Sequence, residues 1–147
     1  MQKVIPLIGS SESGPLGVMQ LPRLWSKVLL TAKGALHEEY DECGSGFDQM
    51  LLDGIGLDRE ATLQYLRANL PTYPQFEQWV LDQKGGSLDP EVVKSSNDAI
   101  IAYLHPDDTV ASVSAAVGRP NDGSIKDAVT LNALEDWNDF HQALTGS

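Results

Sequence analysis

The chain is predicted to be all-α: a compact, irregular bundle of six or seven short helices in a single domain. Three observations carry that expectation. Apolar residues recur three or four apart along most of the chain, the spacing that gathers them on one face of a helix. Ser, Thr or Asp residues able to cap a helix precede those runs, and Gly or Pro follows them. Strict two-residue alternation is not sustained; the valines from Val110 to Val117 come nearest to it and fit the helical period better. No unit of about twenty to fifty residues recurs, which argues against a solenoid.

Residues 1–17 read as a flexible or loosely docked segment, with the turn-rich run G-S-S-E-S-G-P-L-G at its end, and residues 18–147 as one helical domain. In the first helix Pro22 suits the opening turn, and Leu21, Leu24, Trp25, Val28 and Ala32 keep the helical spacing. Lys27 and Lys33 lie towards its C-terminal end, where the dipole favours cations, and Gly34 closes it. A short helix is expected from about Phe47 to Leu52, between Gly44 and Gly46 on one side and Gly54 and Gly56 on the other.

Asp58 is placed to cap the next helix, with Ala61, Leu63, Leu66 and Leu70 inward and Pro71 as its stop. Thr72 and Gln75 form a capping box ahead of Phe76, Trp79 and Val80. Asp89-Pro90 opens a helix carrying Val93, Asn97, Ile100, Ile101 and Leu104. Asp108 or Thr109 is expected to cap the helix of Val110, Val113 and Val117. Ser124-x-x-Asp127 starts the last helix, expected to bury Ile125, Val129, Ala133, Trp137, Phe140 and Leu144. That assignment leaves Leu131 and Leu134 off the main face as surplus apolar surface for a protein partner or a homo-oligomer.

The totals bound the function. With 147 residues, 41% of them hydrophobic, the chain can build one core without disulfides or metals. The single cysteine, Cys43, cannot close an internal disulfide, which fits a cytoplasmic chain better than a secreted one. The N-terminus lacks a signal-peptide pattern, and no run approaches the roughly twenty apolar residues of a membrane span. The net charge is -11, with only ten Lys and Arg residues to neutralise phosphates, so neither nucleic acid nor an anionic membrane is an expected partner. Arg23, Lys27 and Lys33 are the local basic cluster, read as a solvated helix face.

Three motif groups carry a resemblance: L-P-R-L-W-S-K-V-L-L-x-x-x-G-x-L at 21–36, E-x-Y-x-x-C-G-x-G-F-D at 38–48 and L-L-x-G-I-G-L-D at 51–58. In order and spacing they resemble a bacterial family labelled domain of unknown function 5069. The second half of the chain resembles it loosely, through the acidic, aromatic segment at 137–144. The resemblance implies a predominantly helical bacterial protein and carries no activity, cofactor or catalytic residue.

No catalytic signature occurs in the sequence, so candidate chemistry centres on residues 36–58, which hold the lone cysteine, His37 and four glycines. Cys43, followed by Gly44-Ser45-Gly46 and a short helix, has the order of a thiol set before free backbone N–H groups. The carboxylates around it would raise its pKa, and a lone cysteine is more often a small buried hydrophobe. His37 and Asp41, four apart, would share a face if helical. With Glu38, Glu42, Cys43 and Asp48 they offer ligand types without a metal-site spacing, so no metal is expected. The two G-x-G runs lack a Walker lysine, and no cofactor is expected.

The favoured constellation is a small pocket of Arg23, Trp25, Tyr40, Asp41, Cys43 and Asp48. In it Trp25, Tyr40 and Phe47 form walls and Arg23 pairs with Asp41 or Asp48. His105 and His141 read as a dipole-complementing residue and a surface residue. Three functions follow. A non-enzymatic binding or protein-interaction module is favoured; a small enzyme or small-molecule binder using the loop at 38–48 is the alternative; a thiol redox sensor through Cys43 is the third.

Overall fold

The computed structural model describes residues 2–146 and is all-α, as the sequence predicts. Among the described residues seven helices follow one another: α1 (Leu21–Ala32), α2 (Phe47–Ile55), α3 (Arg59–Asn69), α4 (Tyr73–Gln83), α5 (Pro90–Ala102), α6 (Asp107–Val117) and α7 (Ala128–Thr145). Among the described residues, extended pairing is limited to two isolated bridges, Val4 with Leu36 and Leu104 with Asp127. No helix among the described residues is long and apolar enough to cross a membrane.

Local chemistry sets most helix starts. The Asp58 carboxylate accepts the Ala61 N–H at 2.8 Å, Thr72 and Gln75 complete their capping box, and Asp89 accepts the Glu91 N–H at 2.9 Å. Two starts differ from expectation. α6 begins at Asp107, directly after Pro106 and without a side-chain cap, and Asp107 and Asp108 complement the dipole from its first turn. α7 begins at Ala128, capped by Asp127 through the Thr130 N–H at 2.9 Å, because Ser124 is turned back onto Asp122.

α2 runs on to Ile55, through Gly54, where the sequence suggested a stop. The glycine serves close packing instead: a Cβ there would lie 2.5 Å from Ser96 Oγ on α5. The turn after α2 is made at Gly56, whose φ is 72°.

The main core gathers Leu21, Leu24 and Val28 of α1 with Leu51, Leu52 and Ile55 of α2, Leu63 and Leu66 of α3, and Phe76 and Val80 of α4. A second cluster joins Met19, Phe47, Ile100 and Ala128, and a third joins Val110, Val113 and Leu131. α5 therefore packs on α2, and α7 sits against α5 and α6.

The inward face of α7 is the clearest correction. Ala128, Leu131 and Asp136 are buried, whereas Trp137, Phe140 and Leu144 are 60%, 45% and 73% exposed. Ile101 and Leu104 likewise face outward, and Ala61 gives its inward place to Thr62. The N-terminal segment runs alongside the end of α1. The Val4 N–H donates to Ala35 O at 2.6 Å, and the His37 N–H donates to Val4 O at 3.0 Å.

Candidate functional site

Arg23 and Lys27, four apart, share one face of α1, and Gln20 stands at its N-cap. Of the cluster read from sequence as solvated, Lys33 is exposed, but Arg23 and Lys27 are buried at 6% and 7% exposure, and Gln20 beside them at 2%. Gln20 reaches its position with a left-handed backbone, φ 75°, a conformation that costs a non-glycine residue about 1–3 kcal/mol. Its side-chain amide donates to Asp48 Oδ1 at 2.8 Å.

Asp48, in the first turn of α2, also accepts Lys27 Nζ at 2.5 Å and the Gly44 N–H at 2.8 Å. Three donors and a helix N-terminus together make this buried carboxylate well matched.

Arg23 pairs with neither Asp41 nor Asp48. Its guanidinium grips Asp136 of α7 with two prongs, Nη1 to Oδ2 at 2.6 Å and Nη2 to Oδ1 at 3.0 Å. Nη1 also donates to Pro6 O at 3.3 Å and Ile8 O at 2.9 Å, so one side chain ties the N-terminal segment, α1 and α7 together. The guanidinium carbon lies 5.9 Å from the Tyr40 ring centre.

The Tyr40 hydroxyl carries a single proton and lies 2.9 Å from Asp139 Oδ2 and 3.1 Å from Asp136 Oδ1. Burial, reinforced by the Asp136 charge, drives its pKa far above the usual phenol range. Burial also raises Asp136, because loss of hydration outweighs the attraction of Arg23. Glu135, an exposed residue whose carboxyl group is partly desolvated, is raised by that loss of hydration and by the neighbouring Asp139 charge.

These groups line an open polar cleft of about 530 Å³ between α1, residues 39–48 and α7. Glu39, Asp41, Gly44 and Phe47 complete one wall; Asn132, Glu135, Asn138, Asp139 and Gln142 form the other. Of the residues named from sequence, Arg23, Tyr40, Asp41, Phe47 and Asp48 meet here. Trp25 does not. Its indole N–H donates to Pro71 O at 2.9 Å, and it borders a separate apolar groove with residues 4–8, Leu29 and Leu30.

Cys43 is half-buried against the main core, and its carbonyl accepts Arg59 Nη2 at 2.5 Å. Burial and the Asp48 charge push its thiol up, against the low pKa that a nucleophile or sensor requires. His37 and Asp41 share no helix, since α1 ends at Ala32 and α2 starts at Phe47; the His37 Nδ1 accepts the Glu39 N–H at 3.2 Å. The His105 Nε2 pairs with Asn132 Oδ1 at 3.1 Å, while His141 is exposed. Among the described residues, no three His, Cys, Asp or Glu side chains are grouped to hold a metal ion.

The sequence reading missed Gln20, Lys27, Glu135, Asp136 and Asp139. Their signal was present as two polar faces: 23 and 27 on α1, with 20 at its N-cap, and 132, 135, 136 and 139 on α7. The three aromatic and aliphatic residues on the opposite side of α7 drew the apolar reading instead. Comparison with protein-family models, curated proteins and solved structures returns no match.

Proposed function

We propose that this protein is a binding module whose ligand occupies the polar cleft, and that the ligand is a small organic cation rich in hydrogen-bond donors. The observation that carries this reading is the charge left over after internal pairing. Two cations, Arg23 and Lys27, line the cleft with six carboxylates, and both cations are already engaged by Asp136 and Asp48. Among the described residues, Glu39, Asp41, Glu135 and Asp139 have no ion-pair partner, and Glu135 is pushed upward first by partial desolvation and then by crowding with the Asp139 charge. An ammonium or amidinium group would relieve it, and Asn132, Asn138 and Gln142 supply neutral hydrogen-bonding groups along the same wall.

Binding is favoured over catalysis because the Cys43 thiol does not line the cleft, and its pKa, like that of the Tyr40 hydroxyl, is pushed away from the reactive anion. The lone thiol suits a reducing cytoplasm, and the family resemblance suits a bacterial source; both belong to this proposal. So does the second reading, a protein-interaction module, which is favoured by the exposed apolar residues of α7.

The test is an NMR titration of the labelled protein with spermidine, and in parallel with inorganic phosphate. Saturable amide shifts at 20–27, 39–48 and 132–142 with the amine alone, weakened by added salt and by Asp139→Asn, are expected. Shifts confined to other surfaces, or produced by phosphate and not by the amine, would overturn the reading.

A further inference from the structure

A second concavity differs in kind from the polar cleft. It is a groove of about 910 Å³ between the N-terminal segment and α1. Val4, Leu7 and Ile8 line one side, and Trp25, Leu29 and Leu30 the other. In a chain with 21 Asp and Glu residues, none lines this groove. The groove also has a direction. Val4 N–H donates to Ala35 O at 2.6 Å beyond the C-terminal end of α1, whereas Pro6 O and Ile8 O accept Arg23 Nη1 near its start. The segment therefore runs antiparallel to the helix, with Val4 beside the end at Lys33 and Ile8 towards the end at Trp25. Between Trp25 and Lys33 the helix rises about 12 Å.

The two ends differ in charge. Lys33 lines the groove at one end, exposed and without an ion-pair partner among the described residues. Lys3 joins it there: its Nζ donates to Gly34 O at 3.0 Å and it too has no carboxylate partner among the described residues. At the other end Arg23 is buried and held by Asp136, and the Trp25 indole N–H is spent on Pro71 O. The Ser26 hydroxyl is spent on Arg23 O at 2.8 Å. We infer that the groove binds a medium-chain fatty carboxylate, its head at Lys33 and its tail lying along Leu30 and Leu29 towards Trp25. An apolar cavity with a single placed polar group suits such a ligand. A tail of about ten carbons matches the 12 Å or so between the two ends.

Charge complementarity selects this occupant. A cationic amphiphile would meet two ammonium groups and no carboxylate, and an uncharged one would leave Lys33 unused. The groove shares no lining residue with the polar cleft, so this inference stands independently of the ligand proposed above. Burial of the tail is expected to tighten binding about fourfold per methylene until it reaches Trp25, and to add little beyond that point.

Calorimetric titration of the full chain with hexanoate, octanoate, decanoate and dodecanoate, each below micelle formation, tests it, with decyltrimethylammonium in parallel. One saturable site is expected, with affinity rising to decanoate and then levelling, and with the ammonium bound far more weakly. Amide shifts under decanoate are expected at residues 3–8 and 25–35. Lys33→Glu is expected to weaken decanoate about fivefold or more, whereas Lys33→Arg retains it. Circular dichroism of both variants checks folding, and no loss is expected at so exposed a position. Any of four results overturns the inference: no saturable binding, equal binding of the two head groups, shifts centred on the polar cleft, or a folded Lys33→Glu variant that binds decanoate as tightly as the parent.

Discussion

Arg23 and Asp136 stand 113 residues apart in sequence and meet in a two-pronged ion pair, Nη1 to Oδ2 at 2.6 Å and Nη2 to Oδ1 at 3.0 Å. At 6% and 3% exposure, neither charge has water to fall back on. The pair is the joint between α1 and α7, and it holds one wall of the cleft. Removing one partner leaves the other as an uncompensated buried charge. Arg23→Met or Asp136→Leu alone is therefore expected to cost about 3–5 kcal/mol, while the double variant recovers much of the loss. Urea unfolding of the three variants measures the coupling; additive losses would show that the two residues act separately.

Glu135 provides a pH signature. Its pKa is raised in the folded protein, so the native state binds a proton more readily than the unfolded chain does. Stability from this group is fully present below the ordinary glutamate range and falls as pH rises through that range to the raised value. Asp127 is lowered and contributes in the opposite sense, so the informative quantity is the difference between the parent and Glu135→Gln. Thermal unfolding across mildly acidic pH is expected to show the variant gaining on the parent as pH rises. Amine binding in the cleft is expected to strengthen over the same interval, as Glu135 becomes anionic.

Gly54 tests packing against propensity. In a free helix, alanine is better than glycine by about 1 kcal/mol. Here the added Cβ would lie 2.5 Å from Ser96 Oγ and 2.9 Å from Ser96 Cβ, forcing α2 and α5 apart. Gly54→Ala is expected to destabilise by about 1–3 kcal/mol. Adding Ser96→Gly removes both close contacts and is expected to restore a large part of it. Denaturant midpoints decide the matter, and a stabilised single variant would show that the two helices can shift freely.

Much of the architecture was legible because helix formation is governed by neighbours in sequence. Asp58, Thr72, Asp89 and Asp127 cap helices through N–H groups two or three residues away, and those residues announce themselves locally. The site was legible only in part. Arg23, Tyr40, Asp41, Phe47 and Asp48 were found through the loop they surround, whereas Trp25 and Cys43 face other surroundings. α7 was read with its apolar side inward, on the rule that a helix buries its apolar stripe. The rule fails there because Arg23 of α1 holds Asp136, on the acidic side, instead.

The sequence by itself determined an all-α chain with these caps and a strongly acidic composition, since each follows from composition and short-range spacing. Only the tertiary structure decided which carboxylate each buried cation meets and which side of α7 faces inward. Those choices are made by charges brought together across as many as 113 residues of chain, and short-range periodicity carries no information about such encounters.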